Sequence, residues 1–222
     1  MATPLDLQEQ EQLDAIKAFW KTHGNLITWL LIAVLAAYAA WNGWGLYQRN
    51  QGLKASAMFD ELDRAAQAGD ADKATRVFGD LKERFAGTAY ADHGALAAAR
   101  VQFDKGQLDA AKASLTWLAD KGNEDELRNV ARLRLAGILL EAKQYDDAMK
   151  QLDAAKGGDF DALVADRRGD VLAAQGKNDA AKAAYDAAYK GMNERVEYRR
   201  LIEAKLTALG AAPAPAASGA AP

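Results

Sequence analysis

The chain has 222 residues, of which 27% are charged, and its formal net charge at pH 7 is −3. Positive and negative side chains are interspersed, which excludes the basic stripe expected of a nucleic-acid-binding protein. The sequence contains no cysteine, which excludes disulfides and thiol chemistry but is compatible with either side of a membrane.

Helix-forming composition extends over almost the whole chain. Residues 5–212 contain no proline, alanine is abundant, and β-branched residues are sparse. This combination favours helices and disfavours strands. We therefore predict an all-α fold.

The first predicted element is an amphipathic arm over residues 1–24. Its apolar side chains recur at helical spacing on one face, and Gly24 is a candidate helix end. An amphipathic helix beside a membrane segment is expected to lie in the interface, and the alternative is a frayed arm without a role. The apolar residues are Leu13, Ile16, Phe19 and Trp20.

A long apolar segment follows the arm. Between Lys21 and Arg49 the only side chain that can carry charge is that of His23. Residues 25–47 would form a helix of about 34 Å, enough to cross a hydrocarbon core of about 30 Å. The residues predicted to line this transmembrane helix are Leu26, Ile27, Trp29, Leu30, Leu31, Ile32, Val34, Leu35, Trp41, Trp44 and Tyr47.

Two other interpretations of the apolar segment are weaker. A core helix of a small soluble domain would not be apolar on every face. A cleaved signal peptide would fit the pattern at Ala37 and Ala39, but it should open with positive charge, whereas residues 1–24 carry four acidic residues and two lysines. We therefore predict a retained, single-pass anchor.

The charges beside the segment leave its orientation open. Lys17 and Lys21 precede it, and Arg49 and Lys54 follow it. The positive-inside rule therefore gives a tie.

Residues 48–209 contain a repeated helical pattern. An anchor residue at 71, 108, 145 and 178 is followed by alanine three positions later and by a large residue four positions after that. A glycine stands two residues before each anchor except the third, where Lys143 takes its place. The residues predicted to pack the repeats are Ala74, Phe78, Ala111, Leu115, Ala148, Leu152, Ala181 and Tyr185.

The period of 33–37 residues resembles that of the tetratricopeptide repeat, a helix–turn–helix unit that stacks into a solenoid. The usual tryptophan of the first helix and the proline near the repeat end are missing. The alternative is an alanine-rich bundle with coincidental spacing, and the exact repeat count stays open. The Ala/Pro tail, residues 210–222, lacks large apolar residues and is predicted to be disordered.

The order of arm, apolar segment and repeats resembles the YfgM-type ancillary subunits of the bacterial SecYEG translocon. Residues 12–24, 132–136, 144–148 and 165–181 carry the likeness. The resemblance implies a single-pass inner-membrane protein with a cytoplasmic N-terminus and a periplasmic C-terminal domain. It also implies association with the translocon and with a membrane-anchored periplasmic chaperone of the prolyl isomerase type.

Motifs for catalysis are missing. The sequence has neither a phosphate-binding P-loop nor a nucleophile elbow, and His23 and His93 are too far apart in sequence for a ligand cluster. We predict no enzymatic activity, no catalytic residue, no cofactor, no metal and no small-molecule substrate.

The inner helices of the solenoid supply the candidate binding site. A groove that mixes arginine, phenylalanine and acidic residues could hold a partner segment. We predict a membrane-anchored protein-binding scaffold at the Sec translocon, and the alternative is an adaptor for another envelope process such as cell division. The predicted groove residues are Leu96, Arg100, Phe103, Asp104, Leu133, Leu140, Glu141, Asp166 and Asp170.

Overall fold

The computed structural model describes residues 7–155, 157–193 and 197–211, without the side chains of residues 7–10 and 159. The predicted tail from residue 212 onwards and the first six residues of the predicted arm lie outside these ranges. The described residues form nine α-helices, one short 3₁₀ helix and no strand, so the predicted all-α fold is confirmed. The helices are α1 (Leu7–Gln67), α2 (Ala71–Arg84), α3 (Ala89–Asp104), α4 (Leu108–Lys121), α5 (Asp125–Glu141), α6 (Tyr145–Ala154), α7 (Asp161–Ala174), α8 (Asn178–Gly191) and α9 (Tyr198–Ala208), and the 3₁₀ helix is Gly158–Phe160.

The chain divides into two compact units, residues 1–51 and residues 52–222. In the first unit, the predicted helix end at Gly24 is wrong, because α1 continues through it. The ring of Trp20 covers Gly24, where a Cβ would lie 3.1 Å from the indole Nε1. The Thr28 hydroxyl also donates a hydrogen bond to the Gly24 carbonyl at 2.8 Å. One glycine costs a helix about 1 kcal/mol, which is too little to end a long apolar helix on its own.

Large apolar side chains in the first unit are exposed on all faces of the helix. Trp29 is 66% exposed, Leu31 58% and Trp41 81%. By length and composition, α1 between Glu11 and Gln67 is the one described helix that could cross a membrane.

The second unit is built from pairs of helices around clusters of buried apolar side chains, of which one extends from the end of α1 to α7 and another joins α8 with α9. Helix α3 packs on α4, α5 on α6, α7 on α8 and α9 on α8, and α2 and α4 also pack on the helices that follow them, α3 and α5. The end of α1 contacts α2 through an ion pair between Glu61 and Lys73 at 3.1 Å. The eight residues predicted to pack the repeats are all buried, with exposures between 0% and 4%. Alanines at the crossing points let neighbouring helices approach closely, and the larger residues fill the space beside them.

The same turn ends α1, α3, α5, α7 and α9. In each turn the residue after the left-handed position donates its N–H to the carbonyl five residues earlier, as from Asp70 to Ala65 at 2.9 Å and from Gln144 to Leu139 at 2.8 Å. This is the Schellman arrangement, which uses carbonyls that the helix end would leave unpaired. The left-handed residues are Gly69, Gly106, Lys143, Gly176 and Gly210, with φ between +59° and +75°.

Lys143 is therefore a lysine at a position that favours glycine. A left-handed conformation costs a residue with a Cβ about 1–2 kcal/mol, whereas glycine loses about 0.5–1 kcal/mol more chain entropy on folding. We expect Lys143→Gly to stabilise the fold by about 0.5–1 kcal/mol, measured as a rise of about 2 °C in the thermal midpoint by circular dichroism.

Gly106→Ala is the matched control for that prediction. Gly106 has φ +73° and no atom within 4 Å of a built Cβ, so alanine there meets only the backbone strain. It should lower the midpoint by a similar amount. A lower midpoint for Lys143→Gly would contradict the shared turn geometry.

Two buried or half-buried polar side chains connect successive pairs. Asp92 is fully buried, and its carboxylate accepts the backbone N–H of Asn123 at 2.7 Å, just before α5 begins. Arg132 donates to the Ala119 carbonyl in the last turn of α4 and to the Ala154 carbonyl at the end of α6, both at 3.1 Å. A carboxylate at a helix start and a guanidinium at two helix ends each match the sign of the helix dipole.

Candidate docking groove

A groove lies between α3, α5 and α7 on the inner side of the repeats, with a volume of about 380 Å³. Its apolar surface combines Phe103 and Leu133 with smaller contributions from the helices beneath. Charged side chains from all three helices also line it. The lining residues are Ala99, Arg100, Phe103, Leu115, Leu133, Arg134, Gly137, Ile138, Glu141 and Arg167.

Four of the predicted groove residues line this groove: Arg100, Phe103, Leu133 and Glu141. Leu96 and Leu140 are half-buried and pack against the hydrophobic core instead. Asp104 lines an adjacent recess between the end of α1 and α3, and Arg100 borders both cavities.

The placement of Asp166 and Asp170 in the groove is wrong. Asp166 is only 1% exposed, and both carboxylates face α9 and α8 rather than a partner. The position of a residue within the repeat predicts which face of the helix it occupies. It does not predict that α9 covers this face of α7, and the error arose for that reason.

These two carboxylates form the centre of a polar cluster that attaches α9. Lys205 Nζ donates to Asp166 Oδ1 at 2.8 Å and to Asp170 Oδ1 at 2.7 Å. The Tyr198 hydroxyl donates to Asp166 at 2.7 Å, and the Tyr185 hydroxyl donates to Asp170 at 2.9 Å. Buried charges are tolerated only when paired and hydrogen-bonded, and both carboxylates meet that condition.

The two tyrosines of this cluster stay protonated as donors. Burial, reinforced by the hydrogen bond to Asp170, raises the pKa of Tyr185 above its ordinary value, and burial with the bond to Asp166 does the same for the pKa of Tyr198. A raised folded-state pKa means that this stabilisation is complete below about pH 10, the unfolded value, and declines only as the pH rises beyond it.

Arg134 and Arg167 are the charged groove residues that sequence reasoning missed. They occupy equivalent places on α5 and α7, 33 residues apart, which is the same interval that separates the turn residues Lys143 and Gly176. A search for charged residues separated by the repeat interval would have identified both arginines. The sequence analysis applied that interval only to alanines, large residues and turn glycines. Arg167 crosses close over Gly137, where a Cβ would lie 4.0 Å from its guanidinium carbon.

Helical pairs with an open inner groove, preceded in sequence by a helix long and apolar enough to span a bilayer, define the class of helical-repeat proteins. A family model of the tetratricopeptide repeat-like domain matches residues 17–211. The chain belongs to the family of ancillary SecYEG translocon subunits that carry this domain.

Curated relatives cover most of the chain. The ancillary SecYEG translocon subunit of Neisseria gonorrhoeae is 30% identical over 207 residues, which are 91% of this chain and 98% of the relative. The protein of the same name from Escherichia coli K12 is 33% identical over 186 residues, 82% of this chain and 87% of the relative. That of Haemophilus influenzae is 28% identical and covers 82% of this chain and 89% of the relative.

Proposed function

We propose that this protein is a membrane-anchored, non-catalytic scaffold of the bacterial Sec translocon that binds partner proteins through its repeats. The observation that carries the proposal is the family match over residues 17–211, which includes both the apolar helix and the repeats. The relatives that share this extent are named as ancillary SecYEG translocon subunits.

The proposed anchor is the helical segment over residues 25–47 in the bacterial inner membrane. Exposed tryptophans near both ends, Trp29 at one and Trp41 and Trp44 at the other, suit the two lipid–water interfaces. The amphipathic arm, residues 1–24, is cytoplasmic, and the repeat domain, residues 48–209, is periplasmic. The flanking charges do not decide the orientation, so this part of the proposal rests on the family resemblance.

Reporter fusions test that orientation. Alkaline phosphatase fused after residue 210 should be active, because it folds only outside the cytoplasm, and the green fluorescent protein at the same place should be dark when exported by the Sec route. The same two reporters fused after residue 10 should give the opposite pattern. An active phosphatase at the N-terminal site together with a fluorescent C-terminal fusion would reverse the proposed topology.

The partners of the scaffold are proposed to be the SecYEG translocon and a membrane-anchored periplasmic prolyl isomerase-type chaperone that handles secreted chains. The groove supports a protein-binding role because it is open, partly apolar and bordered by charge. A second candidate, adaptation to another envelope process, would use the same fold with different partners.

Crosslinking followed by purification from membranes separates the two candidates. The tagged full-length chain should recover translocon subunits and a periplasmic chaperone. A tagged chain that ends at residue 51 retains the first unit and is the control for recovery through the membrane segment alone. Recovery of division or envelope-assembly proteins in place of both expected partners would favour the second candidate.

A further inference from the structure

We infer that the groove between α3, α5 and α7 binds an acidic segment of a partner protein, whose carboxylates meet arginines while an apolar side chain meets the groove floor. This inference rests on the proposed scaffold function and adds the chemistry of the segment that is bound. It depends on three features of the groove: its charge, the availability of its arginines, and its apolar surface.

The side chains that line the groove carry net positive charge, and Asp104 and Asp170 lie outside the lining at 4.0 Å from Arg100 and 3.4 Å from Arg167. Three guanidinium groups, those of Arg100, Arg134 and Arg167, line it against the single carboxylate of Glu141. The whole chain carries a formal net charge of −3. A locally positive cleft on a negative protein concentrates attraction for anionic groups at that one place.

The groove arginines have N–H donors that are weakly bonded or unbonded within the described part of the chain. Within the described part of the chain, Arg134 has no hydrogen-bond or ion-pair partner. Arg100 reaches Asp104 only at 4.0 Å, and both side chains are more than half exposed, so that pair contributes little. Arg167 lies 3.4 Å from Asp170, a carboxylate that already accepts closer bonds from Lys205 and Tyr185.

Guanidinium groups with free N–H donors favour carboxylates in particular. The planar fork of arginine matches both oxygens of a carboxylate at once, which strengthens the bond and fixes its geometry. Arg134 and Arg167 hold equivalent positions in successive pairs, so one extended or helical segment could present carboxylates to both in turn.

The groove floor supplies the apolar contact. Phe103 is 40% exposed, an unusual degree for a phenylalanine, and it lies in the groove beside Leu133. The volume of about 380 Å³ falls within the range of about 300–1,000 Å³ that is typical of ligand pockets. An anionic polymer without apolar side chains, such as a nucleic acid backbone, would leave this surface uncovered.

The test measures binding of a short fluorescein-labelled peptide that alternates glutamate with leucine and carries one phenylalanine. The full-length protein is held in phosphatidylcholine nanodiscs, and fluorescence anisotropy reports the affinity. Two companion peptides, one with lysine for glutamate and one with serine for every apolar residue, should each bind at least about tenfold more weakly, because a tenfold change requires only about 1.4 kcal/mol.

Arg134→Glu provides the matching change in the protein. It should weaken binding of the glutamate peptide by at least about tenfold, since it replaces an attraction with a repulsion. Arg76→Glu is the control, because Arg76 is exposed on the outer helix α2 and the variant has the same net charge. This variant should change the affinity by less than about twofold, and circular dichroism should show unchanged helix content in both.

Several results would overturn the inference. Equal affinity for the lysine peptide, or equal losses in the two variants, would mean that the groove does not select carboxylates. Displacement of the peptide by anionic phosphatidylglycerol vesicles, but not by phosphatidylcholine vesicles, would assign the groove to lipid headgroups. If the peptide does not bind, the wild-type chain can still recover the translocon from membranes, and only the inference about the groove is lost. If the wild-type chain does not recover the translocon, the proposed function is lost, but the affinity measured for the peptide remains valid.

Discussion

Lys205→Met is expected to release helix α9 from the repeats at a cost of about 3–5 kcal/mol. The lysine ammonium is the only cation bonded to Asp166 in the described part of the chain, and the Asp166 side chain is 2% exposed. Removing one partner of a buried ion pair leaves an uncompensated charge, which is the costly way to break such a pair. Methionine keeps much of the volume of lysine, so the loss reports charge more than packing.

Hydrogen exchange measured residue by residue is the appropriate readout. The amides of α9 should exchange about 150- to 4,000-fold faster, because each tenfold corresponds to about 1.4 kcal/mol, while those of α3 and α4 should change little. Circular dichroism alone would underestimate the effect, since α9 contributes a small part of the helix signal.

Lys190→Met is the matched control. Lys190 also bonds an aspartate, Asp186, at 2.6 Å, but its side chain is 73% exposed. Exposed pairs of this kind contribute about 0.2–1 kcal/mol, so the change in exchange should be small. Adding Asp166→Asn to Lys205→Met should recover part of the protection by removing the buried charge. Equal effects of the two lysine variants would contradict the role of burial.

Gly169→Ala is expected to destabilise the α7–α8 pair by about 2–4 kcal/mol. A Cβ at residue 169 would lie 2.5 Å from Cδ1 and 2.9 Å from Cζ of Tyr185, a residue that is 4% exposed. The ring cannot retreat easily, because its hydroxyl is bonded to Asp170. Overpacking costs about 1–3 kcal/mol, and displacement of the ring would add the loss of that hydrogen bond.

Chemical denaturation followed by circular dichroism measures this change, with Gly79→Ala as the control. Gly79 lies inside α2 and has nothing within 4 Å of a built Cβ. Alanine there should stabilise the helix by up to about 1 kcal/mol. The same substitution should therefore have opposite signs at the two glycines, and a stabilising effect at residue 169 would show that the two helices are less tightly packed than the structure indicates.

The sequence predicted the repeats well because their determinants are local. Spacing of alanines and large residues identifies the packed face of each helix, and the turn glycines mark where the first helix of each pair ends. Even Lys143, the exception to the glycine pattern, takes the same left-handed conformation as its counterparts. Backbone geometry at that turn follows from the helices on both sides, which override the preference of a single residue.

Errors occurred where distant parts of the chain decide the outcome. The helix end predicted at Gly24 is a different kind of error, because Trp20, which covers that glycine, lies only one helical turn before it. Asp166 was assigned to an open face because nothing local indicates that Tyr198 and Lys205, more than thirty residues later, cover it. Leu96 and Leu140 were also assigned to the groove, but they are half-buried against the core. Periodicity predicts the face of the helix on which a side chain lies, but not how deeply that side chain is buried.

The two hydrogen bonds that Arg132 donates have a mechanical consequence for the repeats. Because one guanidinium holds the ends of α4 and α6 together, these two outer helices should resist separation when tension is applied along the stack. The next connection contains Gly157 and Gly158, both with positive φ, and the helices on its two sides share the partly exposed ion pair between Arg168 and Asp153 at 2.7 Å. Because an exposed ion pair contributes little, tension along the stack should separate α6 from α7 before it separates α4 from α6.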